Sequence, residues 1–417
     1  MTQLSYDVAV LGGGVTGVCA AIAAQKTGAK TILVEKSAVL GGICTGGLVT
    51  MWCGSSQHRF FKEIREKENK KRKRRSVFHP ERLKHYFLER IEKTGVELLL
   101  HSTFLEAEVT EGHINSVVLF GKNGKTRLHA KQFIDATGDG DVCVSAGATF
   151  QTGRTSDSLC EPVTLMFTVG GVDDERAVYP TFGTHPDLEE KMEQYVKTGK
   201  ISAPAGHVIL IEGYLQGTAS VNMTNLCMVN GTDPWDLTRA ELFTRKQIPQ
   251  IISFLRECVP GYENCYLLQT GEYVGVRETR HITCDYCLNE QDIMEGKTFP
   301  DWVVYGCVRN FGAHNLTGSG ADESQKVNLS YDGRPYTIPY SSMTVCGLDN
   351  LLVAGRAICG THLAHSSYRV MPICMGTGDG AGVAAALAAQ QNVDTRSVKC
   401  EQIQEILKRD FVDFKEN

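Results

Sequence analysis

The sequence has little net charge and no long apolar run, and these two absences exclude several classes of protein. Its 417 residues include 43 Lys and Arg against 48 Asp and Glu, which gives a formal net charge of −5 at pH 7. No segment approaches the roughly 20 consecutive apolar residues that a membrane span requires. A slightly acidic chain also has no general attraction for nucleic acid or anionic lipid. We therefore expect a small-molecule substrate, and neither a membrane nor a nucleic acid, as its partner.

A secretory signal peptide and a disulfide framework are also missing. The apolar residues 6–11 lead directly into a glycine loop and not into a cleavage site. The 15 cysteines are scattered and odd in number, which favours a reduced, cytoplasmic setting. Only Cys284 and Cys287 are closely spaced, with Cys265 and Cys307 far from them. Because an iron–sulfur cluster needs a denser set of thiolates, we favour structural cysteines over a metal site.

The N-terminal region has the pattern of a βαβ unit. Residues 6–11 predict a buried strand, residues 18–24 a helix of small side chains, and residues 31–34 a second strand. Further on, residues 80–93 predict a helix, and Asn123-Gly124 predicts a hairpin turn between two strands.

The loop of this unit carries a dinucleotide fingerprint. Gly12, Gly14 and Gly17 follow the first strand in the order G-x-G-x-x-G, and Glu35 ends the second strand. The first glycine permits a tight turn, the second lets the backbone approach a pyrophosphate, and the third lets the helix pack closely on the strand. The helix N-terminus attracts the phosphates, and the acid accepts hydrogen bonds from ribose hydroxyls.

Further glycine-rich segments favour FAD over NAD as the dinucleotide. Residues 41–47 follow the ribose acid closely, where a second loop can lie along the isoalloxazine ring. Residues 135–141 end another strand, where a flavoprotein returns its chain to the cofactor. Gly355-Arg356 and the glycine turn at residues 376–380 predict a second helix N-terminus, which can stabilise negative charge on a reduced flavin.

The length and the change of pattern along the chain predict two domains of the α/β class. Residues 1–154 and 341–417 would form a discontinuous, Rossmann-like FAD-binding domain. Residues 155–340 have a mixed, less periodic pattern, and we interpret them as an inserted α+β substrate domain. The flavin is expected between the two domains, because ligand sites favour such interfaces.

The sequence resembles the FAD-dependent oxidoreductases of the glutathione-reductase-like superfamily, and within it the family that includes the flavin subunit of heterodisulfide reductase. The matching stretches are residues 7–17, 41–49, 134–141, 275–280 and 350–385. The resemblance implies FAD as the cofactor without naming a substrate, and the cysteine clusters of that subunit are missing. The residues expected to bind FAD are Gly12, Gly14, Val15, Thr16, Gly17, Glu35, Lys36, Gly41, Gly42, Thr45, Gly46, Gly47, Phe104, Leu105, Ala136, Thr137, Gly138, Asp139, Gly355, Arg356, Met375, Gly376, Thr377 and Gly378.

Two arginines in the inserted region are candidates for substrate binding. Arg277 and Arg280 could bind a carboxylate or phosphate, or polarise a carbonyl group for hydride transfer. The alternative is an ion-pair network with Glu272 and Glu278.

Two histidines and one cysteine are candidates for catalysis. His362 and His365 connect the Gly355 strand to the last glycine-rich segment and should pass near the flavin. A histidine there could take a hydroxyl proton while flavin N5 takes the hydride, or could simply bind the flavin or the backbone. Cys44 could be a redox thiol, but without a second cysteine at Cys-x-x-Cys spacing a packing role is favoured.

A basic run at residues 70–75 leaves two alternative functions open. The run is read as a solvated loop, but it could also be the RNA footprint of an RNA-modifying flavoprotein. The second alternative is an electron-transfer flavin subunit that docks on an iron–sulfur partner protein.

Overall fold

The computed structural model describes residues 2–68, 77–181, 183–205 and 207–414, so the basic run at residues 70–75 lies outside the described part. Within that part the strands are β1 (Thr2–Leu11), β2 (Thr31–Val34), β3 (Glu97–Leu99), β4 (Thr103–Thr110), β5 (His113–Gly121), β6 (Gly124–Asp135), β7 (Phe150–Thr152), β8 (Phe167–Gly170), β9 (Leu210–Glu212), β10 (Thr218–Val221), β11 (Tyr266–Thr270), β12 (Arg280–Ile282), β13 (Trp302–Cys307), β14 (Tyr336–Pro339) and β15 (Leu351–Val353). The α-helices are α1 (Val15–Lys26), α2 (Arg59–Glu68), α3 (Pro80–Thr94), α4 (Asp141–Ser145), α5 (Pro186–Lys197), α6 (Pro234–Cys258), α7 (Glu290–Met294), α8 (His362–Tyr368), α9 (Met371–Gln391) and α10 (Cys400–Asp410). Short 3-10 helices cover Gly42–Cys44, Glu323–Leu329, Tyr340–Ser342, Gly355–Ala357 and Thr395–Ser397.

The largest sheet has seven strands in the order β3-β2-β1-β6-β5-β4, and β15 pairs with the end of β6. The pairs β1–β2, β2–β3, β1–β6 and β6–β15 are parallel, whereas β4, β5 and β6 are antiparallel neighbours. Because parallel strands end at the same edge, the loops after Leu11, Val34, Asp135 and Val353 meet there. The predicted α/β class with a Rossmann-like domain is confirmed.

Local sequence patterns account for the elements of this sheet. β1 is buried over its last four residues, and α1 is buried from Val15 to Ala24, as a strand and a small-residue helix in a protein core should be. The hairpin turn forms where Asn123-Gly124 predicted it: β5 ends at Gly121 and β6 begins at Gly124. Gly124 has a φ of +98°, which glycine adopts without strain.

A second, antiparallel sheet has the order β11-β8-β10-β9 and packs with α5 and α6. Its buried apolar side chains form a cluster within residues 163–276. Residues 282–345 pack instead in the main cluster, together with both ends of the chain. The inserted core is therefore centred on residues 163–276, and the boundaries at residues 155 and 340 stay a prediction.

Helix α9 corrects one expectation. The segment at residues 376–380, predicted as a glycine turn, lies inside this helix, whose N-terminus is at Met371. Glycine is used there for packing, because a Cβ on Gly378 would lie 2.3 Å from the Thr16 oxygen and one on Gly382 2.2 Å from the Ala20 oxygen. These contacts let α9 lie directly on α1.

The described helices include none that could cross a membrane by itself. Helices α8 and α9 meet the length and composition criteria only as a pair, and they are bent by 92° at their junction. The buried length of α9 is that of a core helix.

Candidate active site

The glycine loop after β1 forms a cradle at the N-terminus of α1. Gly12 has a φ of +105°, and a Cβ there would lie 2.4 Å from the Ala136 oxygen. A Cβ on Gly17 would lie 1.8 Å from the Gly12 oxygen, whereas one on Gly14 would meet no atom within 4 Å. Helix α1 has no side-chain cap and no acidic residue in its first turn. The cradle is therefore open and suited to an anion such as a pyrophosphate.

The acid after β2 borders this cradle. Glu35 Oε2 accepts a hydrogen bond from the Gly13 N–H at 2.5 Å, and Oε1 accepts one from the Ser37 N–H at 2.7 Å. Each carboxylate oxygen keeps a second lone pair, which a ribose hydroxyl can use. The neighbouring Lys36 is exposed.

The loop at residues 41–47 lies against the cradle. The Gly41 N–H donates to the Gly13 oxygen at 2.8 Å, and Gly41 and Gly42 have φ values of +104° and +56°. A Cβ on Gly42 would lie 3.2 Å from the Gly14 Cα. The hydroxyl of Thr45 donates to the Leu40 oxygen at 2.7 Å, which fixes the loop.

The loops after β6 and β15 close the opposite side. Arg356 Nη2 pairs with Asp139 Oδ1 at 2.6 Å, and a Cβ on Gly138 would lie 2.5 Å from Arg356 Nη1. The backbone N–H and the hydroxyl of Thr137 both donate to Asp135 Oδ1, which shapes the turn. In the described part of the chain Arg356 Nε is buried and has no hydrogen-bond partner. These groups fit a dinucleotide that lies along the carboxyl edge of the sheet.

Not every residue expected to bind FAD lies at this edge. Met375, Gly376, Thr377 and Gly378 are buried within α9, and a Cβ on Gly376 would lie 2.5 Å from Val304 Cγ1. Gly378 packs against α1, and Thr377 Oγ1 accepts a hydrogen bond from the Gly355 N–H at 2.9 Å. The expected turn is therefore a helix, and the assignment of these four residues to FAD binding stays a prediction. The assignment of Phe104 and Leu105 in β4, and of Val15, Thr16, Gly46 and Gly47, stays a prediction.

The inserted region meets the cradle at two points. The Glu272 N–H donates to the Gly46 oxygen at 2.9 Å. Thr279 Oγ1 donates to Asp139 Oδ1 at 2.8 Å, and Arg280 Nη1 donates to the Asp139 oxygen at 3.1 Å. The segment between these contacts, which holds Glu278, therefore lies beside the cofactor cradle.

A cluster of four buried residues occupies this position, and we call Glu278, His281, His362 and His365 the Glu278 cluster. His362 Nδ1 lies 2.8 and 2.9 Å from the two oxygens of Glu278. His281 Nε2 lies 2.9 Å from Glu278 Oε1, and His365 Nδ1 lies 3.9 Å from it. The sequence pointed to both α8 histidines, but their carboxylate partner lies 84 positions away and was named only as an ion-pair partner for arginine.

Electrostatics divide the roles within the cluster. Burial alone would lower the pKa of His362, but its hydrogen bond to Glu278 and the charge of that carboxylate outweigh burial and raise it. Burial lowers the pKa of His365 well below its usual value, and the neighbouring His281 adds to this, so His365 is neutral. Burial would raise the pKa of Glu278, but the hydrogen bonds from His281 and His362 lower it. Glu278 is thus a carboxylate that favours the imidazolium form of His362.

The remaining catalytic candidates have other surroundings. Arg277 Nη1 donates to Thr164 Oγ1 at 2.8 Å and to the Pro162 oxygen at 2.5 Å, and Arg280 pairs with Asp141 at 2.9 Å. Among the described residues neither arginine pairs with Glu272 or Glu278, so the ion-pair network considered from the sequence is wrong.

The Cys44 thiol is fully buried and donates to the Gly41 oxygen. Burial raises the pKa of this thiol, which removes the thiolate that redox chemistry needs. A packing role accounts for Cys44.

Sequence reasoning missed Glu161. Its backbone N–H donates to Glu278 Oε2 at 2.9 Å, and its Oε2 pairs with Arg369 at 2.8 Å. No local motif marks this residue, because its partners lie more than a hundred positions away in the chain.

Two groups of side chains in the described part could hold a metal ion by proximity alone. Glu278, His281 and His365 offer ligand atoms within 4.8 Å of one another, and so do Cys19, His58 and Asp379. In both groups the carboxylate already pairs with a histidine, at 2.9 Å in the first and 2.6 Å in the second. The absence of a metal, expected from the sequence, stays a prediction.

The closely spaced cysteines have a third neighbour that the sequence did not indicate. The side chains of Cys284 and Cys287 interact with the Cys359 thiol, and this interaction lowers the pKa of Cys359. The Leu288 N–H donates to the Cys359 oxygen at 3.1 Å, which brings the two segments side by side.

Comparisons with solved structures place the fold. The chain is similar to a geranylgeranyl bacteriochlorophyll reductase-like protein from Thermoplasma acidophilum at 14% identity and a TM-score of 0.53, covering 98% of this chain and 85% of that one. It is also similar to p-nitrophenol 4-monooxygenase from Pseudomonas putida DLL-E4 at 12% identity and a TM-score of 0.51, covering 97% and 84%. At such identities these proteins share the fold alone. No curated protein sequence matches the chain.

A protein-family model decides the family. The model described as FAD-dependent oxidoreductase matches residues 7–407, nearly the whole chain. The finer resemblance to the flavin subunit of heterodisulfide reductase stays a prediction. With the dinucleotide cradle at the carboxyl edge of the sheet, the match shows that the chain belongs to the FAD-dependent oxidoreductase family and uses FAD as its cofactor.

Proposed function

We propose that the protein transfers a hydride between flavin N5 and a small organic substrate, with His362 as the acid–base residue. The observation that carries this proposal is the hydrogen bond between His362 Nδ1 and Glu278 beside the cofactor cradle. Bound FAD would supply the two-electron acceptor or donor for the hydride. Gly14, Glu35 and Arg356 would hold it at the edge of the sheet.

Glu278 prepares His362 for this role by fixing its orientation. Because Nδ1 faces the carboxylate, Nε2 is the nitrogen that can meet a substrate. In the described part of the chain Nε2 is buried and has no hydrogen-bond partner. A base held by a carboxylate through its second nitrogen is the usual arrangement for proton transfer in enzymes.

The proton balance follows from this orientation. In the oxidative direction a substrate alcohol loses a hydride from carbon, and neutral His362 takes the hydroxyl proton at Nε2, so a carbonyl compound is formed. In the reductive direction the imidazolium returns that proton to the carbonyl oxygen. Glu278 stabilises the imidazolium in both directions and keeps its own charge.

The test is the variant His362→Gln, which keeps a polar side chain but cannot move a proton. We expect it to bind FAD normally and to lose about 10²- to 10⁴-fold in the rate of anaerobic flavin bleaching by an active alcohol or hydroxy acid. The substrate is first found by screening such compounds against the wild-type protein. His129→Gln is the control, because His129 lies on β6 and its hydrogen bond to Gln3 of β1 is exposed.

Light-driven reduction of the flavin in the same samples shows whether the bound cofactor is intact. A His362→Gln protein that is reduced by substrate at the wild-type rate would refute the role of His362.

A further inference from the structure

Three guanidinium groups converge next to the Glu278 cluster, and we call Arg277, Arg309 and Arg369 the arginine cluster. Arg369 Nη2 donates to the Gly312 oxygen at 3.1 Å, and a Cβ on Gly312 would lie 3.0 Å from Arg309 Nη2. Both side chains therefore reach the same backbone position. Both are only partly exposed, so their charges are poorly hydrated.

Arg277 lies in the segment between β11 and β12. Its Nη1 donates to Thr164 Oγ1 at 2.8 Å, and its Nη2 lies 3.4 Å from Asn222 Oδ1, so neutral groups hold it. Burial lowers the pKa of Arg277 to about 10, and the charge of Arg369 contributes. The two arginines thus interact with each other as like charges.

The cluster contains too few carboxylates for its cations. Glu161 pairs with Arg369 at 2.8 Å, and no other carboxylate of the described residues lies within 4.0 Å of the three guanidinium groups. The nearby His207 and His314 are neutral and do not offset these charges. Burial and then Arg277 lower the pKa of His207 to about 4 and hold the pKa of His314 well below its usual value. Within the same residues, the buried Nε atoms of Arg309 and Arg369 have no hydrogen-bond partner.

Such an excess of poorly hydrated cations is costly unless an anion compensates it. Two guanidinium groups at one backbone position also match the planar, paired oxygens of a carboxylate or the oxygens of a phosphate. A solvated surface would not leave donor atoms both buried and unpaired.

The cluster is continuous with the proposed acid–base site. Glu161 pairs with Arg369 through its side chain and donates from its backbone N–H to Glu278 Oε2 at 2.9 Å. Arg369 and His362 are therefore linked through two adjacent glutamates, Glu161 and Glu278.

We propose that the substrate is a small organic anion whose carboxylate or phosphate group binds to Arg309 and Arg369, with Arg277 behind them. The oxidisable carbon would then lie next to His362. This inference rests on the proposed function and adds the substrate class to it.

The experiment measures binding without turnover. The FAD-loaded protein is titrated with lactate, malate, inorganic phosphate and the neutral analogue lactamide at constant ionic strength. Thermal stabilisation and changes in flavin absorbance are recorded. We expect at least one anion to bind and lactamide not to bind, and the preferred anion distinguishes a carboxylate site from a phosphate site.

The variant Arg309→Gln should weaken binding of that anion about 30-fold or more, because it removes one partner of a buried charge pair. Arg309→Lys keeps the charge and should recover part of the affinity, which separates anion binding from misfolding. Arg334→Gln is the control, since Arg334 forms an exposed pair with Asp332.

Equal binding of lactate and lactamide, no binding of any anion, or full affinity in Arg309→Gln would overturn the anion site. Anion binding without any reduction of the flavin would support the anion site but refute the proposed hydride transfer. Reduction of the flavin by neutral alcohols, without any preference for anions, would support hydride transfer but refute the anion site.

Discussion

His362 Nδ1 lies within hydrogen-bonding distance of both oxygens of Glu278, and this interaction shifts the pKa of the ring. Burial favours the neutral imidazole, and the carboxylate favours the imidazolium. The effect of the carboxylate is the larger one, so the pKa of His362 is raised. The oxidative direction needs the neutral ring. The rate of oxidation should therefore rise with pH along a limb that lies at higher pH than that of an unperturbed histidine.

The variant Glu278→Gln tests this dependence on charge. Without the Glu278 carboxylate the lowering effect of burial should prevail, so the pKa of His362 should fall and the ascending limb of kcat/KM for oxidation should move to lower pH. The limiting rate should fall as well, since the imidazolium formed in the reaction loses its counter-charge. Glu272→Gln removes an exposed carboxylate of the same segment and should leave the profile unchanged. An ascending limb that stays in place in Glu278→Gln would show that another group controls it.

Individual residues also show how far sequence reasoning reaches. His362 and His365 were found because they follow a glycine turn that had to approach the cofactor. Glu161 and Arg309 were not found, because no local motif marks them and the Glu278 partner of Glu161 lies 117 positions away in the chain. Side-chain chemistry of this kind has no periodic signature.

Helices α1 and α9 are in contact because small residues line both. Of the three α9 glycines that were interpreted as a ligand-binding turn, Gly378 serves this contact, whereas Gly376 and Gly380 pack against Val304 and Val303 of β13. The error has a physical origin, since glycine is unfavourable in isolated helices and only tertiary packing justifies it there. Where the pattern was periodic, as in β1, α1 and α3, the predicted elements are present.

The variant Gly382→Ala tests the helix contact. Its Cβ would lie 2.2 Å from the Ala20 oxygen, so the two helices must separate. We expect the free energy of unfolding to fall by about 1–3 kcal/mol, as measured by denaturant titration. FAD should also bind more weakly, because α1 carries the phosphate cradle.

Gln391→Ala, at the exposed end of the same helix, should change the stability little. A Gly382→Ala protein as stable as the wild type would mean that α9 does not need the close approach.

At the scale of the whole molecule, the Rossmann-like sheet and the family follow from patterns that are local in the sequence. The glycine fingerprint and its acid lie close together in the sequence. The return of the chain at β15 has a similar local pattern to β1, a buried apolar strand followed by glycine. The proposed substrate site is not local, because the segment between β11 and β12 brings Arg277 and Glu278 beside a cradle built by other parts of the chain. The basic run at residues 70–75 lies outside the described residues, and the RNA and electron-transfer alternatives stay predictions.

The most direct measurement is the cofactor content of the purified wild-type protein and of Gly14→Val, by absorbance and by identification of the compound released on acid precipitation. Gly14 has a φ of −63°, and a Cβ there meets no atom within 4 Å, so valine should be accepted by the fold while it fills the space for the pyrophosphate. We predict one FAD per wild-type chain and a folded Gly14→Val protein without FAD. A wild-type protein that refuses added FAD, or a Gly14→Val protein that retains it, would contradict the assignment of this cradle to the cofactor.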